Sequence, residues 1–151
     1  MPTPRVFLVP VITVFALLAG PGAAGAQSAA DSAAIRAAAL DYAEGWYEGS
    51  AARMERALHP DLAKRIVRTD SAGLSQLGQM TAAQLIEAAG KGGGRGTPPE
   101  RQQKDVVILD VFGSAASVRL TMSGWVDYLH LARWNGEWRI VNVLWELKPR
   151  P

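Results

Sequence analysis

The chain has 151 residues, 48% hydrophobic and 20% charged, with no cysteine and a formal net charge of +2. That length suits one globular domain and excludes multidomain enzymes, transmembrane bundles and doubly wound nucleotide-binding folds of ordinary size. The pI of about 9.2 reflects a small charge excess and no basic patch, so nothing directs the chain to nucleic acid.

Arg5 precedes an uncharged apolar run from Val6 to Gly20, and Ala24-Gly25-Ala26 offers the small-x-small spacing that signal peptidase reads. The run falls short of the roughly 20 apolar residues that span a bilayer. Residues 1–26 are therefore predicted to be a signal peptide cleaved before Gln27. Residues 27–151 would then be a single domain, periplasmic or extracellular, with no membrane attachment after cleavage. Only Arg5 is charged in the leader, so the mature chain is close to neutral. Without disulfides, its stability must come from the core, to which five tryptophans contribute.

Asp31 to Tyr47 reads as a helix, because Ile35, Ala39, Tyr42 and Trp46 recur at spacings that stack them on one face. Asp31 or Ser28 would cap its start, and Gly49 suits a left-handed stop. Ser50 opens a second, short helix through Arg53, Met54, Ala57 and Leu58, ending before Pro60. Leu62 to Val67 reads as a short strand, and Thr69 to Met80, holding Gly73 and Gly78, as a loop. Thr81-Ala82-Ala83-Gln84 is a capping-box pattern that starts a third helix through Leu85, Ile86 and Ala89, ended by Gly90. Lys91 to Pro99 is a glycine- and proline-rich break.

Beyond that break the period changes to two. Asp105–Phe112 and Ala115–Ser123 read as strands joined across Gly113-Ser114. Gly124–Trp134 and Glu137–Glu146 read as strands joined across Asn135-Gly136, a strong hairpin signal. Helices followed by an antiparallel meander give an α+β domain, with three helices covering one face of the sheet around a hollow.

The glycine run from Gly90 to Thr97 fits neither phosphate-loop spacing and follows a helix instead of opening one, so it reads as a flexible loop. His59-Pro60-Asp61 with His130 imitates a two-histidine, one-carboxylate iron site. Such ligands belong to strands of a large barrel, whereas His59 is expected to end a helix, and no metal is assigned. Tyr42 and Trp46 sit on the helix face expected to cover the sheet, where they either border the hollow or simply pack. Asp127 alternates with Trp125, Leu129 and Leu131 and shares their face. Buried there, it is either a base or hydrogen-bond anchor of raised pKa or half of a salt bridge. The turn decides which residues join Asn142. A two-residue turn pairs it with Leu129 and places Asp127, Asn142 and Leu144 on one face. A three-residue turn with a glycine bulge brings it to Tyr128 and His130.

These residues carry a resemblance. Asp41-Tyr42, Gly45-Trp46-Tyr47-Glu48-Gly49, Ala57-Leu58-His59-Pro60-Asp61-Leu62, Val126-Asp127-Tyr128-Leu129-His130-Leu131 and Asn135 through Asn142 resemble the putative lumazine-binding family of the nuclear transport factor 2-like superfamily. The resemblance implies a cone-shaped α+β fold with three N-terminal helices on a curved, mainly antiparallel sheet. It also implies a pocket between them and a homodimer through the outer sheet face. The superfamily includes catalysts and non-catalysts alike, so the fold does not choose an activity. Ketosteroid isomerases need a carboxylate on the early strand, and Leu62-Ala63-Lys64-Arg65-Ile66-Val67 has none. The reading is an exported small-molecule-binding domain that uses no cofactor, with Tyr42, Trp46, His59, Asp127, His130 and Asn142 as pocket residues. Two alternatives stay open: a small isomerase, dehydratase or hydrolase with Asp127 or His59 as general base, and a structural dimerisation module.

Overall fold

The computed structural model describes residues 22–149, with side chains from residue 28 onward. The expected leader falls mainly outside these residues. Helix α1 runs Gly22–Glu48, so the expected cleavage point before Gln27 lies within it. This start corrects the expected cap, because Ser28 and Asp31 both lie inside the helix. Asp31 instead accepts from the Trp138 indole at 3.2 Å and meets the guanidinium of Arg133, which holds the helix against the final hairpin.

Gly49 stops α1 at φ +68°, and Ser50 accepts from the Arg53 amide to cap α2, Ala51–Ala57. Arg53 fastens the two helices together, reaching Asp41 at 3.0 Å and Glu48 at 2.8 Å, with Glu44 also in contact. Helix α3, Ala82–Gly90, starts with both halves of the capping box formed between Thr81 and Gln84. Pro99–Arg101 makes one 3-10 turn that starts at the last residue of the expected break.

Six strands form one sheet: β1 Leu58–Thr69, β2 Ser75–Thr81, β3 Lys104–Phe112, β4 Ala115–Met122, β5 Trp125–Trp134 and β6 Glu137–Leu147. Their order is β2-β1-β6-β5-β4-β3; β1 runs parallel to β6, and every other pairing is antiparallel. Two expectations fail at the start of this sheet. Strand β1 begins at Leu58, which was expected to be helical. The register against β6 slips between Leu58 and Ala63, so Pro60, which has no N–H to give, sits where the ladder is interrupted. The expected loop at Thr69–Met80 instead holds a tight turn and β2. Asp70 accepts from the amides of Ala72 and Leu74, Gly73 takes φ +80°, and residues 75–81 pair with β1. An edge strand can be polar, so Ser-Gln-Leu-Gly-Gln-Met-Thr gives no alternation to read.

The last hairpin turns as its sequence directs, with Asn135 at φ +50° and Gly136 at φ +85°. Those angles suit a two-residue type I′ turn. The register then shifts between Leu131 and His130, leaving Val141 as the extra residue, so Asn142 pairs with His130 and Val143 with Leu129. Neither expected combination of turn and partner occurs. The turn has two residues, and a bulge five residues beyond it does the shifting.

Ile35, Ala39, Tyr42 and Ala43 of α1 belong to one buried cluster with Met54, Leu85, Val118, Leu120, Met122, Leu129, Leu131, Ile140 and Val143. Each fully buried Ile, Leu, Val or Met side chain among them contributes roughly 1.5–3 kcal/mol. Tyr47 closes the end of α1 onto the sheet, its hydroxyl lying 3.0 Å from the Gln103 carbonyl and 2.8 Å from the Ser123 hydroxyl.

Candidate functional site

Asp127 projects from β5 into the core on the face of Leu129 and Leu131, and its exposure is 0%. It is not alone. Lys64, on the inward face of β1 between Leu62 and Ile66, brings its Nζ to 2.5 Å from Asp127 Oδ1 and 2.7 Å from the Tyr42 hydroxyl. The Tyr42 hydroxyl donates to the same Oδ1 at 3.4 Å, and the Trp125 indole N–H donates to Oδ2 at 2.7 Å. The carboxylate thus takes hydrogen bonds from an ammonium, a phenol and an indole inside an apolar wall. Aromatic rings surround them. Lys64 Nζ lies 4.7 Å from the Trp145 ring centre and 5.4 Å from that of Tyr42. Trp125 meets Trp46 edge-on at 5.8 Å and Trp145 at 6.1 Å.

Burial dominates the titration of all three groups. It pushes the Asp127 carboxyl up, against the opposing pull of Lys64, Trp125 and Tyr42. It pulls the Lys64 ammonium down in spite of Asp127, and it raises the Tyr42 phenol, helped by the neighbouring Asp127 charge. Removing one partner would leave the other charge buried and unmatched. With three donors on Asp127 and no exposure, the salt-bridge alternative describes this carboxylate. Lys64 was legible as a lysine on the Leu62–Ile66 face and was overlooked as the partner.

The remaining expected residues go to three other places. Trp46 is partly buried beneath the glycine run. A β-carbon on Gly93 would come within 2.5 Å of its ring and one on Gly94 within 2.4 Å. Gly93 and Gly94 are therefore glycine because an indole occupies the space, a packing reason that the sequence pattern could not reveal. His130 and Asn142 are corrected to the outer sheet face. They are cross-strand partners, both exposed, and they do not share a wall with Asp127.

His59 enters a separate cleft of about 620 Å³ where α2, α3, the start of β1 and the β5–β6 turn meet. Its walls include Arg56, His59, Ile86, Trp134, Glu137 and Arg139. The His59 ring stands edge-on to Trp134 with centres 4.6 Å apart, and Trp134 is 52% exposed. His59 Nδ1 accepts from the Asp61 amide at 3.1 Å, so in the neutral ring Nε2 carries the proton. Arg139 donates to the Glu55 carbonyl at 3.1 Å and to that of Arg56, satisfying the end of α2, and it also meets Glu137. The cleft offers an open indole, an imidazole N–H and charges of both signs. Among the described residues, no group of three or more His, Asp or Glu side chains converges as a metal ion would require.

The model of the putative lumazine-binding family matches residues 30–146, most of the chain. The chain belongs to that family. Solved structures place this family member in the nuclear transport factor 2-like, cystatin-like α+β fold. A nuclear transport factor 2-like protein of unknown function from Shewanella baltica OS155 is 20% identical with a TM-score of 0.61, over 81% of this chain and 97% of its own. One from Methylobacillus flagellatus KT, also of unknown function, is 20% identical with a TM-score of 0.61, over 79% and 93%. One with a cystatin-like fold from Novosphingobium aromaticivorans is 14% identical with a TM-score of 0.63, over 89% and 94%. At these identities the likeness carries the fold alone. No curated protein matches this family member.

Proposed function

We propose that the chain is an exported small-molecule-binding domain whose ligand is a flat heterocycle seated in the cleft beside His59 and Trp134. The observation that carries this reading is the half-exposed Trp134 indole on the wall of a cleft of about 620 Å³. Such volumes suit small ligands, and an indole gives a planar ring an apolar surface to stack on. The His59 Nε2–H and the arginines would orient carbonyl groups at the ligand's edge. The family's description as putative lumazine-binding points to the same chemical class. The sealed state of Asp127 supports binding over general-base chemistry at that carboxylate, since a base must reach its substrate's proton.

Export rests on the apolar run and the Ala24-Gly25-Ala26 site. In this reading the helices close one side of a cone, and a second copy covers the outer sheet face. Tyr128, Leu144 and Val107 are exposed there beside Arg119 and Arg65, a mixture that suits self-association. Light scattering of the purified chain tests that partner, and Leu144→Asp is expected to shift a dimer to monomer.

Titration with lumazine and with riboflavin, followed by thermal shift, tests the ligand class. Saturation at a hundredfold excess over Kd corresponds to about 2.7 kcal/mol of added stability. Absence of any shift with either compound, or a shift that Trp134→Ala leaves intact, would sink the reading.

A further inference from the structure

A second hollow lies away from the His59 cleft, on the inward side of the β2-β1-β6 end of the sheet. It holds about 120 Å³ and is lined by Lys64, Ile66, Arg68, Gly78, Gln79, Met80 and Trp145. Two of these residues are cationic and none is acidic. The His59 cleft differs, since Glu55 and Glu137 share its wall with Arg56 and Arg139.

Both cations belong to the same indole. Lys64 Nζ lies 4.7 Å and the Arg68 guanidinium 5.8 Å from the centre of Trp145. The charge of Lys64 is matched by Asp127 behind it. Arg53, Arg56, Arg133 and Arg139 each meet a carboxylate. Arg68 makes no ion pair among the described residues, so its charge is the local excess. Gly78 keeps the space beside it open: a β-carbon there would lie 3.3 Å from Arg68 Nη1 and 3.2 Å from Ile66. Lys64 spends two N–H groups on Asp127 and Tyr42, and an ammonium has three.

We infer that this hollow binds a small carboxylate, held by the Arg68 guanidinium and the remaining Lys64 N–H against the Trp145 ring. The planar fork of Arg68 suits a two-point contact with a carboxylate. Ile66 and Met80 give the carbon portion an apolar wall, and the small volume limits the enclosed part to the head group and a few carbons. Arg68 is exposed and Lys64 is buried, so it is the Lys64 side of the contact that gains strength beyond its value on open surface.

Calorimetric titration of the full chain with benzoate, at ionic strength fixed with sodium chloride, tests the site. Benzamide, nearly the same shape without the charge, is the control. The expected result is saturable benzoate binding, none for benzamide, and at least a tenfold loss in Arg68→Gln. Trp134→Ala, in the other cleft, should leave benzoate affinity unchanged, so this inference and the heterocycle reading fail separately. Equal binding of benzamide, an unchanged affinity in Arg68→Gln, or no saturation by benzoate would each overturn the proposal.

Discussion

The Lys64–Asp127 pair and the His59–Trp134 cleft are made of similar material, titratable side chains beside aromatic rings, and they do opposite things. In the first, an ammonium, a phenol and an indole N–H converge on one carboxylate that has no exposure. In the second, a half-exposed indole and an edge-on imidazole stand around open space. A carboxylate whose partners converge on it inside a core is held in one arrangement and is closed to a ligand. Polar groups left partly unmatched at a surface keep capacity for one. A carboxylate in an apolar wall is therefore a functional candidate only when some of its hydrogen-bonding capacity faces a cavity.

The contrast breaks most visibly if the buried pair is cut. Asp127→Leu should lower unfolding stability by about 3–5 kcal/mol by stranding the Lys64 ammonium. Adding Lys64→Met should recover most of that loss, as urea denaturation of the single and double variants would read. Loss in the double variant equal to the sum of the two singles would remove the coupling on which the comparison rests. Gly94→Ala comes next. Its β-carbon has no room beside Trp46, so about 1–3 kcal/mol should go, read from the same transitions.

Trp134→Ala should change stability by less than about 1 kcal/mol, because the ring is half exposed. Its effect should fall on heterocycle affinity, by about tenfold, as in other interfaces that lose an aromatic anchor. A large stability loss with unchanged affinity would make the cleft a packing feature like the buried pair.

The smallest effect comes from Glu44, which serves as a surface baseline. Partial burial works to raise its carboxyl, but Lys104 and Arg53 outweigh that and leave its pKa lowered. A lowered folded pKa gives stability that is present above the unfolded value near about 4.3 and lost as pH falls through the folded value. Exposure limits this to less than about 1 kcal/mol. Glu44→Gln should lower stability at neutral pH by that amount and leave it nearly unchanged at pH values below the folded pKa, which flattens the acid limb of the curve.

Several elements were legible because their signals are local. Ser50, the Thr81–Gln84 box and Gly49 mark helix ends through bonds to backbone groups within a few residues, and all three act as read. The alternation that put Asp127 with Leu129 and Leu131 likewise needed only the pleat of one strand. Strand β2 was hidden because an edge strand need not alternate. Its partner β1, which opens at Leu58 ahead of Pro60, was hidden in part because its pairing with β6 joins residues about eighty positions apart.

The sequence by itself determined the α+β class, the family, the face that Asp127 shares with Leu129 and Leu131, and the hairpin across Asn135-Gly136, all set by short-range sterics or by pattern. Only the tertiary structure decided what those residues meet. The bulge at Val141 turned Asn142 outward, Lys64 arrived at Asp127 from another strand, and Trp46 filled the space over which the glycines lie. Each of these outcomes depends on register and close packing between distant segments. A strand's face is fixed by its own pleat, whereas its neighbours are fixed by how the whole sheet closes.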